Sequence, residues 1–138
     1  CCLRWYCVFQ LSTRGFDAIV DVIKLRSEMH RFLDVFTNPA VVKVLHGCRC
    51  DVQWLQRDFG LYLVNVFDTG EAARVLNYPS FGLAHLLETF CKVKAQKQFQ
   101  LADWRVRPIP AEMLRYARED THYLVCAIPC VVVVIVVG

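Results

Sequence analysis

Short apolar runs in the first half of the chain predict the strands of a sheet. Residues 6–12 and 16–22 have β-rich composition, and the turn residues at 13–15 predict an antiparallel hairpin between them. Residues 41–45 form an apolar run typical of a strand inside a sheet. Residues 62–67 predict one further strand.

Apolar residues spaced three and four apart predict helices between and after these strands. Gly60 is expected to end the second helix, and Asp68 and Ser80 are expected to cap the third and fourth. A Pro-rich, basic connection over residues 100–110 leads into the last helix. Because helices alternate with strands after the hairpin, the order predicts one α/β domain with a mixed sheet. The predicted helices cover residues 25–36, 51–59, 71–76, 83–90 and 110–124.

The last predicted helix carries an acidic residue in its apolar stripe. Met113, Ala117 and Leu124 have core-facing spacing, Asp120 falls on the same stripe, and Tyr116 lies one turn before Asp120. Burying an ionised Asp costs on the order of several kcal/mol unless a cation or hydrogen-bond donors compensate. The helix is therefore expected to line a cleft, or Asp120 to hold a positive group.

Asp51 is a second candidate, in or just before the first turn of the helix over residues 51–59. An N-cap is one interpretation of this position. The other is chemical, because nuclease chemistry with two divalent metals needs carboxylates that converge from different elements. Asp51 and Asp120 are then candidate ligands, and Tyr116 could orient or deprotonate the attacking water, with a core tyrosine as the alternative.

The charge distribution adds a candidate binding surface. The formal net charge is +3, from 16 Lys and Arg against 13 Asp and Glu, so the chain is no polycation. Residues 91–118 nevertheless hold a local basic excess, which fits a polyanionic substrate or, equally simply, a solvated face. Trp104 could meet a base or fasten the connection to the core, and His46 could line the cleft. The basic residues are Lys92, Lys94, Lys97, Arg105, Arg107, Arg115 and Arg118, against Asp103 and Glu112.

The cysteines and the C-terminal valines exclude some classes. No CxxC pair is followed by a second pair or by a His pair, so a structural zinc site is not expected, and a reduced intracellular protein is. The apolar run over residues 124–137 contains a Pro and is shorter than the roughly 20 residues of a membrane span. Residues 131–137 therefore predict a strand, and no membrane association is expected.

Three segments of the chain resemble the DEDDy-type, RNase D-like 3′-5′ exonucleases, and most of all the exoribonucleases of the eukaryotic nuclear exosome. They are HGCRCDVQWLQRDFGLYLVNVFDT (residues 46–69), QLADWRVRP (100–108) and YAREDTHYL (116–124), within a likeness that covers about residues 6–125. The resemblance implies an RNase H-like fold. It also implies removal of nucleotides from RNA 3′ ends with two divalent metal ions, Mg²⁺ or Mn²⁺.

The same resemblance implies roles for individual residues. Asp51 matches the acid of the second motif, and Tyr116 and Asp120 match the third motif. Asp51 and Asp120 are thereby implied as metal ligands, and Tyr116 as the residue that positions the nucleophilic water. The resemblance implies a structural role, and not a metal-binding one, for Asp68. The implied nucleic-acid-binding residues are His46, Trp104, Arg105 and Arg107.

The chain departs from the family pattern at both ends. The family's first motif is an Asp-x-Glu on an opening strand, which lies between the hairpin and the strand at residues 41–45 and supplies two further ligands. Residues 1–5 contain no acid. The resemblance thus implies an N-terminally incomplete exonuclease domain over residues 1–125, with its first central strand missing and core exposed. A Val-rich tail over residues 126–138 lies outside the pattern.

Two functions from different classes follow. The first is an exoribonuclease domain, expected to be inactive as these 138 residues alone because the first acidic motif is absent. The second is a non-catalytic RNA- or protein-binding module with an exonuclease-like fold, and a DNA-directed exonuclease is a weaker option. The resemblance implies a single-stranded RNA 3′ end and nuclear exosome subunits as partners, and a nuclear location.

Overall fold

A computed structural model describes residues 7–95, 98–126 and 132–137. Its strands form one mixed sheet in the order β2-β1-β5-β3-β4. β1 pairs antiparallel with β2 and β5, and β3 pairs parallel with β5 and β4. The predicted α/β class with a mixed sheet is confirmed. The strands are β1 (Val8–Ser12), β2 (Asp17–Asp21), β3 (Val42–Leu45), β4 (Val66–Asp68) and β5 (Val132–Val137).

Helices pack on the two faces of this sheet, and their bounds differ locally from the predictions. The predicted helix over residues 25–36 is 3-10 in its first part. A π-helical turn follows α4 directly and ends at Lys92, which has a left-handed φ of 58°. The helical segments are a 3-10 helix (Arg26–Phe32), α1 (Leu33–Thr37), α2 (Arg49–Phe59), α3 (Thr69–Val75), α4 (Leu83–Leu86), the π-helical turn (Leu87–Cys91) and α5 (Ala111–Cys126).

The N-cap interpretation of Asp51 and the predicted cap at Ser80 are wrong, whereas the predicted helix ends at Asp68 and Gly60 are confirmed. Cys48 holds the N-cap position of α2, so Asp51 lies inside the first turn. Gly82, not Ser80, precedes α4. Asp68 caps α3 by accepting hydrogen bonds from two backbone N–H groups. Gly60 ends α2 with a φ of 66°, a left-handed conformation that glycine adopts without steric cost.

The hairpin forms as predicted because Thr13 organises its turn. The Thr13 N–H donates to the Phe16 carbonyl at 2.8 Å. Its hydroxyl oxygen accepts from the N–H groups of Gly15 and Phe16, both at 3.2 Å. These contacts satisfy the turn backbone locally and fix the register of β1 on β2.

The strand predicted at residues 62–67 is shorter in the structure and covers Val66–Asp68. Asn65 has a φ of 60°, which interrupts the extended conformation just before β4. The Val64 N–H donates to the Phe36 carbonyl at 2.9 Å, at the end of α1. Contacts to α1 therefore replace sheet pairing over the first part of this segment.

Buried apolar side chains form clusters on both faces of the sheet. Phe9 and Leu45 pack with Phe36 and Leu55 on the face covered by α1 and α2. On the other face α5 crosses β1, β2, β5 and β3. Along α5, Met113, Ala117 and Leu124 are buried, so the predicted apolar stripe of the last helix is confirmed.

β5 lies in the middle of the sheet, between β1 and β3. Val134 is opposite Ser12 on one side and opposite Val44 on the other. Residues 131–137 were predicted to contain a strand, which is confirmed for Val132–Val137. The expected gap between β1 and β3 is not present, because β5 provides backbone partners to both strands. The division of the chain at residue 125 stays a prediction.

Candidate active site

Asp51 lies in the first turn of α2, where the chain turns away from the carboxyl end of β3. Its side chain is partly buried. Burial raises the pKa of Asp51 to about 7, and the negative charge of Asp68 adds to the effect. The surroundings of Asp51 therefore disfavour its ionised form, as expected of a carboxylate with no compensating cation among the described residues.

Asp68 fixes the two loops that surround Asp51. Its Oδ1 accepts from the N–H groups of Gly47 at 2.9 Å and Gly70 at 2.8 Å, and its Oδ2 accepts from the Cys48 N–H at 2.8 Å. Burial alone would raise the pKa of Asp68, but the N–H donors outweigh it and lower the pKa. This network ties the start of α2 to the start of α3 and supports the structural role implied for Asp68.

His46 faces the same region with a defined tautomer. Its Nδ1 lies 2.8 Å from Thr69 Oγ1, and the Thr69 hydroxyl donates to the Leu45 carbonyl at 3.1 Å. Because that hydroxyl has one hydrogen, Nδ1 must carry the proton and donate, which leaves Nε2 as an acceptor. Burial lowers the pKa of His46 against the opposing charge of Asp68, which favours the neutral ring.

Asp120 and Tyr116 form the second part of the site, on α5. Burial raises the pKa of Asp120 to about 6; a hydrogen bond from Tyr116 opposes the shift and the charge of Glu119 adds to it. Burial, together with the Asp120 charge, raises the pKa of Tyr116 to about 12. The Tyr116 ring packs near Trp104, with ring centroids 6.1 Å apart. Tyr116 is thus a neutral phenol, held by an aromatic neighbour and hydrogen-bonded to a carboxylate.

The connection before α5 is anchored by two of the predicted nucleic-acid-binding residues. Trp104 is buried against Met113 and Ala117. The Arg107 guanidinium donates to both carboxylate oxygens of Asp21, at 2.6 and 2.9 Å, and also to the carbonyls of Trp104 and Cys7. Both residues fasten the connection to the hairpin and to α5. Their nucleic-acid contacts stay predictions.

Arg105, between these two anchors, has a different environment. It pairs with Asp103 at 2.8 Å, and both side chains are largely exposed. Arg105 is therefore more exposed to solvent than Arg107, although its charge is paired with that of Asp103.

The structure thus shows two carboxylate centres, one at Asp51 and one at Asp120, with different charged neighbours. Carboxylate oxygens are the ligand type that Mg²⁺ and Mn²⁺ prefer. Within residues 7–95, 98–126 and 132–137, however, no three or more His, Cys, Asp or Glu side chains group together as a metal site. The donor chemistry fits such an ion, but the described ligand set does not complete its coordination. The part of the chain that the structure describes also contains no helix long and apolar enough to cross a membrane.

Sequence reasoning missed several partners that position the site. Thr69 fixes the His46 tautomer, and Asp21 holds Arg107 across 86 residues of sequence. Thr69 follows the capping Asp68 directly, which is a local signal. The pairing of Asp21 with Arg107 has no local signal, because it depends on how the connection folds over the hairpin.

The profile of the 3′-5′ exonuclease family matches residues 4–127 of this sequence. The chain therefore belongs to the 3′-5′ exonuclease family, which consists of hydrolases. This confirms the enzyme class expected from the three motifs.

Curated relatives connect the chain with exosome proteins. It is 58% identical over 118 residues to exosome complex component 10 of Rattus norvegicus. It is 52% identical over 118 residues to the exosome complex exonuclease RRP6 of Saccharomyces cerevisiae. Both matches cover 86% of this chain, but only 13% and 16%, respectively, of those proteins.

Solved structures support the fold. The catalytic core of RRP6 from Trypanosoma brucei superposes with a TM-score of 0.84 at 55% identity, covering 86% of this chain and 33% of that one. Escherichia coli RNase D superposes with a TM-score of 0.75 at 23% identity, covering 90% of this chain and 35% of that one, which bears on the fold alone. The mixed α/β structure thus matches RNase H-like exonuclease cores.

Proposed function

We propose that this chain forms part of a 3′-5′ exoribonuclease that hydrolyses RNA phosphodiesters from the 3′ end. The observation that carries the proposal is the Tyr116–Asp120 pair on the buried face of α5, in a chain of the exonuclease family. A partly buried acid with a raised pKa beside a hydrogen-bonding tyrosine has no evident structural purpose there. The relatives named exosome component 10 and RRP6 support RNA as the substrate.

Each residue then has a role that its surroundings permit. Asp51 and Asp120 would hold divalent metal ions, Mg²⁺ or Mn²⁺, which stabilise developing charge on the phosphate when bound. With a pKa of about 12, Tyr116 keeps its proton at neutral pH, so it would orient the attacking water rather than deprotonate it. His46 would offer Nε2 as a hydrogen-bond acceptor to the RNA, and Arg105 a solvent-exposed positive charge to its phosphates.

We further propose that these 138 residues, taken alone, hydrolyse RNA slowly or not at all. Two carboxylates leave a pair of divalent ions short of ligands, and β5, in the middle of the sheet, adds no acid. Activity would then require additional carboxylates from outside the described residues.

The proposed partners and location follow from the named relatives. A single-stranded RNA 3′ end is the expected substrate, exosome subunits are the expected protein partners, and the nucleus is the expected location. The basic segment before α5 supports RNA as a ligand, because Arg105 remains exposed there.

A non-catalytic RNA- or protein-binding module is the second candidate. It is favoured by the incomplete metal-ligand set of the described residues. Under this alternative, RNA binding would persist without any divalent ion, and neither Asp51 nor Asp120 would contribute to it.

The test combines RNA degradation with a readout that does not depend on activity. The 138-residue chain and its Asp120→Asn variant are incubated with a 5′-labelled RNA bearing a 3′-hydroxyl, with and without Mn²⁺, and their thermal unfolding is followed in parallel. Stabilisation of the unsubstituted chain by Mn²⁺, lost in Asp120→Asn, supports the metal role. Degradation that continues in Asp120→Asn contradicts the site assignment. RNA binding without any Mn²⁺ effect supports the non-catalytic module.

A further inference from the structure

An open groove lies where the 3-10 helix meets the end of α2. Its volume is about 580 Å³, within the roughly 300–1,000 Å³ that is usual for ligand sites. The roles assigned to the candidate active site use none of the residues that line it, so the groove is still unexplained. The residues on which the argument rests are Lys24, Arg26, His30, Asp58 and Phe59.

The groove carries an excess of positive charge. Its acid, Asp58, already accepts two hydrogen bonds from the Arg57 guanidinium, at 2.7 and 2.9 Å, and these lower its pKa. Lys24 and Arg26 are exposed and form no salt bridge with any carboxylate in the part of the chain that the structure describes. Two cations without an acidic partner at one groove favour an anionic ligand.

Arg26 is held in place while most of its donors stay available. Its guanidinium carbon lies 5.0 Å from the centroid of the Phe59 ring, which packs against the core. Its Nη2 donates to the Asp58 carbonyl at 3.3 Å. A guanidinium has five N–H donors in a planar fork that matches phosphate oxygens. Stacking on a fixed ring restricts the side chain in advance, so less conformational entropy is lost when an anion binds.

The other two polar residues are also positioned by contacts within the fold. The Lys24 N–H donates to Asp21 Oδ1 at 3.2 Å, and Arg107 pairs with the same carboxylate. His30 Nδ1 lies 2.7 Å from the Ser27 carbonyl, which can only accept, so Nδ1 carries a proton. In the uncharged ring, Nε2 is then an acceptor. The groove therefore combines cations for a phosphate with an acceptor for a hydroxyl, and a ribonucleotide has both groups.

The groove and the candidate metal ligand Asp51 share one helix. Phe59 follows Asp51 by eight residues in α2, which corresponds to about 12 Å along the helix axis. At a stacked spacing of about 3.4 Å for each nucleotide, this distance is on the order of four nucleotides. An RNA strand with its 3′ end at Asp51 and Asp120 is thus long enough to reach the groove after a few nucleotides.

We propose that this groove is an auxiliary RNA-binding site, in which Lys24 and Arg26 bind backbone phosphates upstream of the 3′ end. The identity of the ligand rests on the proposed exoribonuclease function, whereas the site itself lies apart from the residues of that reaction. The groove would add affinity for longer RNAs and leave the contacts of the 3′-terminal nucleotides unchanged. RNAs too short to reach it would gain nothing from it.

The test measures RNA binding without catalysis. Fluorescence anisotropy follows 5′-labelled oligouridines of about 12 and about 3 nucleotides, titrated with the 138-residue chain in a metal-chelating buffer at several salt concentrations. The double variant Lys24→Gln/Arg26→Gln is expected to bind the longer RNA about tenfold more weakly, with a slope of log K against log salt smaller by about 1.4, since each phosphate contact contributes about 0.7. The shorter RNA should bind equally to both chains.

The matched control removes the same charge elsewhere. Arg31→Gln/Arg74→Gln replaces two exposed arginines that pair with glutamates and do not line the groove. It should keep most of the affinity for the longer RNA. Equal losses in the two double variants, no loss in Lys24→Gln/Arg26→Gln, or an equal loss for both RNA lengths would overturn the proposal.

Two single variants keep the test decisive if the double variant unfolds. Lys24→Gln removes a side chain with no salt bridge among the described residues and should still weaken binding of the longer RNA about threefold. Arg26→Lys keeps the charge but loses the planar fork, so it should weaken binding with little change in the salt slope. Unchanged affinity in both single variants overturns the proposal.

Failure of the groove can be distinguished from failure of the proposed function. If the stabilisation by Mn²⁺ depends on Asp120 but the groove variants bind RNA like the control, only the auxiliary site is wrong. If that stabilisation is absent while Lys24→Gln/Arg26→Gln loses affinity for the longer RNA, the groove binds RNA and the nuclease assignment is wrong. Absence of RNA binding by the unsubstituted chain at low salt overturns the auxiliary site and removes the support for RNA as substrate.

Discussion

Replacing Asp51 by Asn is expected to stabilise the metal-free chain above neutral pH. The pKa of Asp51 is raised to about 7 from an ordinary value of 3.8, chiefly by burial. The folded state therefore retains the proton at a pH where the unfolded state has lost it. The contribution of Asp51 to the free energy of unfolding must fall as pH rises from about 4 to about 7, and then level off. At about 1.36 kcal/mol for each pH unit between the two values, the full loss is on the order of 4 kcal/mol.

An Asn at position 51 does not titrate, so it avoids this loss. The advantage of Asp51→Asn over the unsubstituted chain should be small at pH 4.5 and approach a few kcal/mol at pH 8, as an upper estimate. Urea unfolding followed by tryptophan fluorescence, in a buffer with a metal chelator, measures it at both pH values. A destabilised Asp51→Asn variant at pH 8, or a gain of equal size at both pH values, would refute the reasoning.

Asp21→Asn is the control with the opposite sign. A hydrogen bond from Arg107 lowers the pKa of Asp21 to about 2. The stability that Asp21 contributes is therefore present above an ordinary pKa of 3.8 and is lost as pH falls toward 2. Asp21→Asn should destabilise the chain at pH 8, where Asp51→Asn stabilises it. Added Mn²⁺ should then raise the stability of the unsubstituted chain at pH 8 more than that of Asp51→Asn, which retains Asp120.

Three further predictions concern α5, the connection before it and the end of α2. Asp120→Asn should give a smaller gain that develops between about pH 4 and pH 6, because the pKa of Asp120 is raised only to about 6; urea unfolding across that range measures it, and a loss of stability contradicts it. Arg107→Lys cannot keep both bonds to Asp21 and should cost about 2 kcal/mol of unfolding free energy, whereas Arg105→Lys, on the exposed side, should leave the urea midpoint unchanged. Equal effects of the two substitutions would contradict the anchoring role. Gly60→Ala should cost about 1 kcal/mol, measured as a lower urea midpoint, because φ is 66° there; an unchanged midpoint would contradict it.

Local pattern was sufficient to predict most of the sheet and the buried stripe of α5. The hairpin, the strand at residues 41–45 and the stripe through Met113, Ala117 and Leu124 each follow from spacing and turn residues within a short window. Such features are encoded locally, so the structure confirms them with end shifts of one or two residues.

Some predictions were wrong where a contact between residues distant in sequence determines the backbone conformation. Residues 62–64 do not pair in the sheet, because the Val64 N–H donates to the Phe36 carbonyl in α1. Asn65 has a φ of 60° and contributes only its carbonyl, which accepts from the Lys43 N–H of β3. The N-cap of α2 is Cys48 and not Asp51, and the Cys48 N–H donates to Asp68, 20 residues further along the chain. None of these contacts can be read from the sequence nearby.

The candidate site was predicted in part. Asp120 and Tyr116 were found because a carboxylate interrupts an apolar stripe, and the structure agrees that this carboxylate is partly buried. The anchoring contacts of Trp104 and Arg107 were not evident, because charge and aromatic character alone do not reveal which side chains are satisfied within the fold. The resemblance suggested RNA contacts for both, whereas the structure adds a positioning role before α5.

Four aspartates of this chain fall into two groups that differ in the hydrogen bonds and the burial of their carboxylates. Asp21 and Asp68 receive hydrogen bonds from a guanidinium or from backbone N–H groups, and their pKa values are lowered. Asp51 and Asp120 are partly buried with too little compensation, and their pKa values are raised. The first group stabilises the hairpin and the loops around α2, while the second group destabilises the fold wherever it is ionised. Because Asp51 and Asp120 receive too little compensation from the described residues, a bound cation would stabilise their ionised forms. The effect of added metal ion on the stability of the chain and of variants at these two positions is therefore the decisive measurement.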